Sequence, residues 1–217
     1  MNKGISMGVN WGIGTTLAGL GLSAVAYIVN DTFSETEDTT LASHTGEVGA
    51  TWVSHPSYAT GAAVVEASGD KVYFNTNSTC YYASGAPPSA DYSVFATIYV
   101  QSNGASLSAG VIGRASTSAN TFYLARYGGT SSGWQLYKFV NGSATQLGST
   151  VVQSLSLSGS YSIELRMEGT SIKLFVDGAE TISATDSDIA DAGKVGIRGL
   201  GVTDSTGGYQ LLNIYAR

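Results

Sequence analysis

Apolar and polar residues alternate along most of this chain, and the alternation has a period of two. Residues 92–100 set Tyr92, Val94, Ala96, Ile98 and Val100 on one side and Ser93, Phe95, Thr97 and Tyr99 on the other. Residues 161–167 set Tyr161, Ile163, Leu165 and Met167 against Ser162, Glu164 and Arg166. Ile172, Leu174 and Val176 then alternate with Ser171, Lys173 and Phe175. Side chains two apart share a face of a strand, so each run predicts a strand with one buried and one wetter face, as antiparallel sheets require. The 3.6-residue period of an amphipathic helix is almost absent after Asp31. Further strands are predicted near 109–114, 121–127, 134–140, 194–199 and 209–216. Turn formers separate the runs. Asp177-Gly178 and Asn141-Gly142 suit the positive φ of tight hairpins, and Ser68-Gly69-Asp70 divides Val64-Val65 from Val72-Tyr73-Phe74. Gly-, Ser- and Thr-rich joints fill 128–133 and 154–160. About a dozen short strands with regular turns predict a two-layer sandwich rather than an α/β fold.

The first thirty residues differ in kind. From Gly4 to Asn30 no side chain carries a formal charge. Three readings compete. Lys3, the apolar run from Leu17 to Val25 and Ala24-Val25-Ala26 fit a secretory leader with a small-x-small cleavage site. Residues 4–29 have the length of a membrane span, and Gly4, Gly8 and Gly12 form a stripe that lets helices approach closely. The third reading is an arm that orders when buried against partner subunits. Gly4, Gly8, Gly12, Gly14, Gly19 and Gly21 each cost a helix about 1 kcal/mol relative to Ala. Asn10, Thr15, Thr16 and Ser23 dilute the apolar run, and Trp11 sits inside it rather than at an interfacial belt. The arm is therefore favoured, with Ile5, Gly8, Val9, Trp11, Gly12, Ile13, Leu17, Leu20 and Leu22 as its anchoring residues. The expected organisation is an arm or anchor over 1–30 and a sandwich over 31–217.

Composition narrows the chemistry. Only 12 % of the 217 residues are charged, and Gly reaches 28 where Pro is 3. The hydrophobic share of 43 % is enough for a packed core. A net charge of −6 argues against nucleic acid, since phosphate binding relies on basic surface. Cys80 is the only cysteine, which excludes an intramolecular disulfide framework and a Cys-rich zinc site.

The C-terminal half carries a recognisable order of motifs. Tyr161 to Glu180 reads as strand, Asp-Gly hairpin and strand. It is followed by Thr185-Asp186-Ser187-Asp188-Ile189, by Ala192-Gly193-Lys194-Val195-Gly196-Ile197-Arg198, and by a closing strand from Tyr209 to Ala216. This order resembles the concanavalin A-like lectin/glucanase superfamily and its laminin-G-like relatives. Asn30-Asp31-Thr32-Phe33, with Leu41, His44 and Trp52 after it, resembles the first strand of such domains, an opening that phage virion proteins often carry. The resemblance spans 31–217 and implies an all-β, two-sheet antiparallel jelly-roll. It leaves function open, because this fold hosts lectins, enzymes, adhesion modules and inert structural domains.

Glucanases of this fold carry an acidic Glu-x-Asp-x-x-Glu cluster on one strand, and no such cluster occurs here. Glu164 and Glu168 lie roughly 13 Å apart along an extended chain, beyond the separation a glycosidase uses, and read as a solvated strand face. His44 and His55 fall in no ligand or triad spacing and read as loop or surface histidines. No catalytic residues are expected. Asp186, Asp188 and Asp191 form an oxygen-rich loop and Asp31 starts the first strand, but no compact calcium-ligand loop is present; a capped turn is the favoured account of Asp188 and Asp191, and calcium is the one cofactor left open. Tyr123, Tyr127 and Trp134 are the candidates for a sugar-stacking surface, with the sandwich core or a subunit contact as the favoured alternative.

The leading expectation is a non-enzymatic virion structural protein. It would be a capsid decoration or cement protein, or a tail-associated one, held by its arm among major capsid or tail subunits and forming homo-oligomers. The alternative is a lectin-like carbohydrate-binding module, membrane-anchored through residues 4–29 or displayed on a particle, at the cell surface or outside the cell.

Overall fold

The computed structural model describes residues 26–104, 106–128 and 132–217. Among these, sixteen strands, numbered in chain order, form two sheets of nine and seven strands. The larger sheet runs β14 (Ala179–Thr185), β13 (Ser171–Val176), β12 (Ser160–Glu168), β7 (Tyr92–Val100), β16 (Tyr209–Ala216), β5 (Lys71–Phe74), β4 (Ala63–Glu66) and β2 (Thr39–Thr40). A further strand, β1 (Val29–Asp31), also pairs with β16. The smaller sheet runs β11 (Ser143–Val152), β10 (Gly133–Val140), β9 (Phe122–Gly128), β8 (Ser108–Ala115), β15 (Lys194–Leu200), β6 (Ser78–Ala83) and β3 (Trp52–Ser54). Every pairing between these strands is antiparallel.

Period two places the core. Val94, Ala96, Ile98 and Val100 from β7 and Ile163, Leu165 and Met167 from β12 meet Val111 of β8, Ala125 of β9, Leu136 of β10 and Ile197 of β15 across the sandwich. Two inward positions of the smaller sheet are glycine. A Cβ on Gly113 would stand 2.4 Å from Cε of Met167, and one on Gly199 would stand 2.1 Å from the Phe74 ring. Those glycines let large side chains of the opposite sheet reach the smaller sheet's backbone, where dense interiors leave no slack.

Tyr123, Tyr127 and Trp134 belong to this core and are not a sugar-stacking surface. All three are almost fully buried. Their positions in β9 and β10 share the parity of Ala125 and Leu136, so the pleat turns them inward. The Tyr127 ring packs edge-on against Trp134 at 4.8 Å and Tyr209 at 5.1 Å. The Tyr127 hydroxyl donates to the Gln153 carbonyl at 2.7 Å, and the Trp134 indole N–H donates to the Gln153 side chain. The residues assigned to the arm, Ile5, Gly8, Val9, Trp11, Gly12, Ile13, Leu17, Leu20 and Leu22, lie outside the described residues. Among the described residues no helix is long and apolar enough to cross a membrane.

Candidate functional site

With even positions of β8 and β9 and odd positions of β10 turned away from the core, the smaller sheet presents a second face. Register aligns Arg198 of β15, Gly110 of β8, Arg126 of β9 and Gln135 of β10 in one row across the strands. The next row holds Gly196, Ile112, Leu124, Tyr137 and Gln146, and Phe122 pairs with Phe139 beyond it. Cys80, Ile112, Phe122, Leu124 and Phe139 pack together as an apolar floor, with Tyr58 and Tyr137 against its edge. Burial pushes the Cys80 thiol up to about 12, so it stays protonated and is no nucleophile.

Tyr58 is carried over this floor by a short 3-10 turn, Pro56–Tyr58, whose N-cap is His55. The His55 ring accepts from the Ser57 N–H through Nδ1 at 3.2 Å and donates through Nε2 to the carbonyls of Ser116 and Ala119, at 2.9 and 3.1 Å. Those partners define a neutral ring, and burial lowers its pKa in agreement. The Tyr58 hydroxyl and the Asn120 amide hold each other at 3.1–3.2 Å. One fixed histidine thus ties the turn to the loop after β8.

Two guanidinium groups lie on the floor. Arg198 sits 4.2 Å from the Phe139 centroid, 4.8 Å from Tyr58 and 5.4 Å from Phe122, a three-ring enclosure that favours a cation through the ring quadrupoles. Its Nη1 is buried without a hydrogen-bond partner. Arg126 lies 4.7 Å over the Tyr137 ring and donates from Nε to Gln135 Oε1 at 2.9 Å. Burial lowers the Arg126 pKa, and the positive charge of Arg198 acts in the same direction. The Gln135 amide then donates to Thr150, the Tyr137 hydroxyl donates to Gln146, and the Gln146 amide donates to Thr150, at 3.3, 3.1 and 3.0 Å. The outward side chains of the described strands in this sheet include no carboxylate. The face offers rings, amides, hydroxyls and two cations: it can stack, donate and attract negative charge.

The other candidates resolve into structural clusters. Asp31, in β1, and His44 are both buried, against the surface or loop position expected for His44: His44 Nε2 pairs with Asp31 at 2.9 Å and Nδ1 with Glu35 at 2.6 Å. Asp31 also accepts from Trp52 Nε1 at 2.6 Å and from the Phe33 N–H at 2.7 Å. His55 is buried too. Histidine spacing gave no sign of either, because the partners arrive from separate loops. Asp186 and Asp188 both accept from Lys138, and the Asp188 N–H donates to Asp186 at 3.1 Å, so a lysine and a capped turn use these oxygens. Among the described residues no group of three or more His, Cys, Asp or Glu is arranged to hold a metal ion.

Glu164 departs from the expected wet face. It accepts from Arg166 at 2.7 and 3.0 Å and from Ser93 at 2.8 Å, and Arg166 lies over Phe175, so Glu164 is largely covered while Arg166 stays partly exposed. Phe95 and Tyr215 stack at 4.6 Å on the same outer face of the larger sheet. Sequence reasoning missed Arg126, Gln135, Gln146 and Arg198 altogether. The available signal was a long polar side chain on the outward side of each of β9, β10 and β15, Arg126, Gln135 and Arg198, which register places in one row.

No family model matches the chain, and no curated protein does. Solved structures do. The carbohydrate binding module CBM66 from Bacillus subtilis superposes with a TM-score of 0.54 at 16% identity, covering 84% of this chain and 92% of its own. A beta-1,3-glucanase from Mycobacterium marinum gives 0.55 at 10% identity, covering 90% of this chain and 100% of its own. The VIP36 exoplasmic/lumenal domain, in a Ca2+/Man-bound form, gives 0.56 at 8% identity, covering 80% and 84%. Identities this low speak to fold alone, and the fold they agree on is the one the strand order describes: this chain has the two-sheet antiparallel jelly-roll fold of the concanavalin A-like proteins.

Proposed function

We propose that this chain binds carbohydrate on the outer face of the smaller sheet and does not hydrolyse it. The observation that carries this reading is the network joining Arg126, Gln135, Thr150, Gln146 and Tyr137 on an apolar floor. Sugars present apolar ring faces and many hydroxyls, so they match sites that combine aromatic surface with a few fixed polar groups. Hydrolysis needs paired carboxyl groups about 5–9.5 Å apart, and the described part of this face supplies none. CBM66 and the Man-bound VIP36 domain, by their names, use the same fold for sugar recognition, which is compatible with a protein working at the cell surface or outside the cell.

The test is a glycan array probed with the full chain, followed by calorimetry on the best ligand. Tyr137→Ala and Gln146→Ala are expected to weaken binding about five- to tenfold each, from lost stacking and one lost hydrogen bond. No new reducing ends should appear. A blank array, or full binding by both variants, contradicts the reading.

A second reading remains as a proposal: a virion decoration protein held among capsid or tail subunits. The uncharged run from Gly4 to Asn30 favours it. Its discriminating observation is whether the full chain travels with particles, with membranes or in the medium.

A further inference from the structure

The chain is acidic overall, with a net charge of −6, yet two of its arginines stand together on one face without an acidic partner. Lys71, Arg114, Lys138, Arg166 and Lys173 each pair with a carboxylate. Among the described residues no such pair involves Arg126 or Arg198. They flank Gly110, one strand away on either side, so their Cα atoms are about 10 Å apart. Gly110 is held to glycine by its backbone: a Cβ there would stand 2.1 Å from the Ala125 carbonyl oxygen. No side chain therefore fills the position between the arginines.

The two guanidinium groups are fixed differently. Arg126 is aimed by Gln135 and by the Tyr137 ring. Arg198 is aimed by three rings, one of them locked through the Asn120 and His55 contacts, while its Nη1 stays buried and unpaired. A buried donor without a partner is uncommon in folded proteins and calls for a group that completes it. Two like charges brought together on a low-dielectric floor call for the same group, one bearing negative charge.

We propose that the ligand of this face is an acidic saccharide, with an oxyanion seated between Arg198 and Arg126. The inference rests on the carbohydrate reading of the face and adds the charge of the ligand. A uronate carboxylate and a sulfate ester share the chemistry, since a guanidinium fork can donate two parallel N–H bonds to either. The nearby rings and amides then serve the neutral part of the sugar.

Calorimetry on the full chain separates the possibilities. The ligands are an oligogalacturonate, its methyl ester, sulfated and unsulfated galactan oligosaccharides, and a single-stranded oligonucleotide. The expected result is that the uronate, the sulfated sugar or both bind at least about tenfold more tightly than the matching neutral sugar. Which of the two binds identifies the oxyanion. In Arg198→Gln and in Arg126→Gln the ratio of acidic to neutral affinity should fall to about one. Thermal unfolding of each variant checks that it is folded, and Arg126→Gln, outside the three-ring enclosure, serves if Arg198→Gln is not. Neutral sugars binding as well as acidic ones overturns this inference and leaves the carbohydrate reading standing. Failure of every saccharide overturns both, and an oligonucleotide binding more tightly than any saccharide overturns both in favour of a different polyanion.

Discussion

His44 is a buried imidazole between two carboxylates, and its environment sets a pH dependence that can be signed. Burial alone would lower its pKa, but the hydrogen bonds it donates to Asp31 and Glu35 outweigh that and hold it above the ordinary histidine value. Both ring nitrogens face carboxylate oxygens, so the charged ring, with two N–H donors, is the form that fits. A pKa raised on folding contributes stability that is complete below the unfolded value of about 6.5 and is lost as pH rises through the folded value. The thermal midpoint is therefore expected to decline as pH rises above about 6.5, and His44→Gln is expected to remove that slope while lowering stability at pH 6. Unfolding curves between about pH 6 and 9 check it; a flat wild-type profile would contradict the assignment. Asp31, His44 and Trp52 were visible in the sequence as parts of a resemblance to a first strand. That they meet in one buried cluster was not visible, because their contacts depend on how two loops close over β1 and β3.

At the scale of elements, the same two-residue period that predicted strands also shows where it stops informing. β7 spans Tyr92–Val100 with a strict apolar side facing the core, and β16 spans Tyr209–Ala216, where a bulge between Leu211 and Asn213 moves the buried side from Tyr209 and Leu211 to Ile214 and Ala216; both match the expected bounds. β11, Ser143–Val152, was implied by the Asn141-Gly142 hairpin but not by any alternation of its own. It is an edge strand with Leu147 as its one buried residue and a positive φ at Gly148, so it lacks the apolar alternation that marks an inner strand. β6 was missed for the opposite reason: Thr79, Cys80, Tyr81 and Ala83 are buried toward both faces, which blurs the alternation. The turns were legible from chemistry. Asp177 and Gly178 adopt φ of 48° and 79°, the pair of positive values a tight hairpin between β13 and β14 requires. A Cβ on Gly178 would meet nothing within 4 Å, so Gly178→Ala isolates backbone strain from steric collision. It should lower stability by about 1 kcal/mol, read as a shifted denaturation midpoint at constant slope. An unchanged midpoint would show that the hairpin does not depend on that conformation.

For the whole molecule, the jelly-roll divides its labour between the inner and outer sides of one sheet. The inner aromatics Tyr123, Tyr127 and Trp134 consolidate the sandwich, while Arg126, Tyr137 and Arg198 lie on the outer side, where the ligand is proposed to bind. Sequence reading offered Tyr123, Tyr127 and Trp134 as sugar-stacking candidates while favouring the core for them; alternation gives two faces of β9 and β10 without saying which one the second sheet covers, and burial places all three inside. The larger sheet also has an aromatic outer surface at Phe95 and Tyr215, but the charged groups beside it, Glu164 and Arg166, already satisfy each other. Backbone amide shifts followed by NMR, while the full chain is titrated with the oligosaccharide that gives the strongest array signal, decide between the two surfaces most directly. Shifts concentrated on β8, β9, β10 and β15, with side-chain shifts at Gln135 and Gln146, are the predicted result. Shifts centred on Phe95, Tyr215 and the outer face of β7 and β12 would contradict the account.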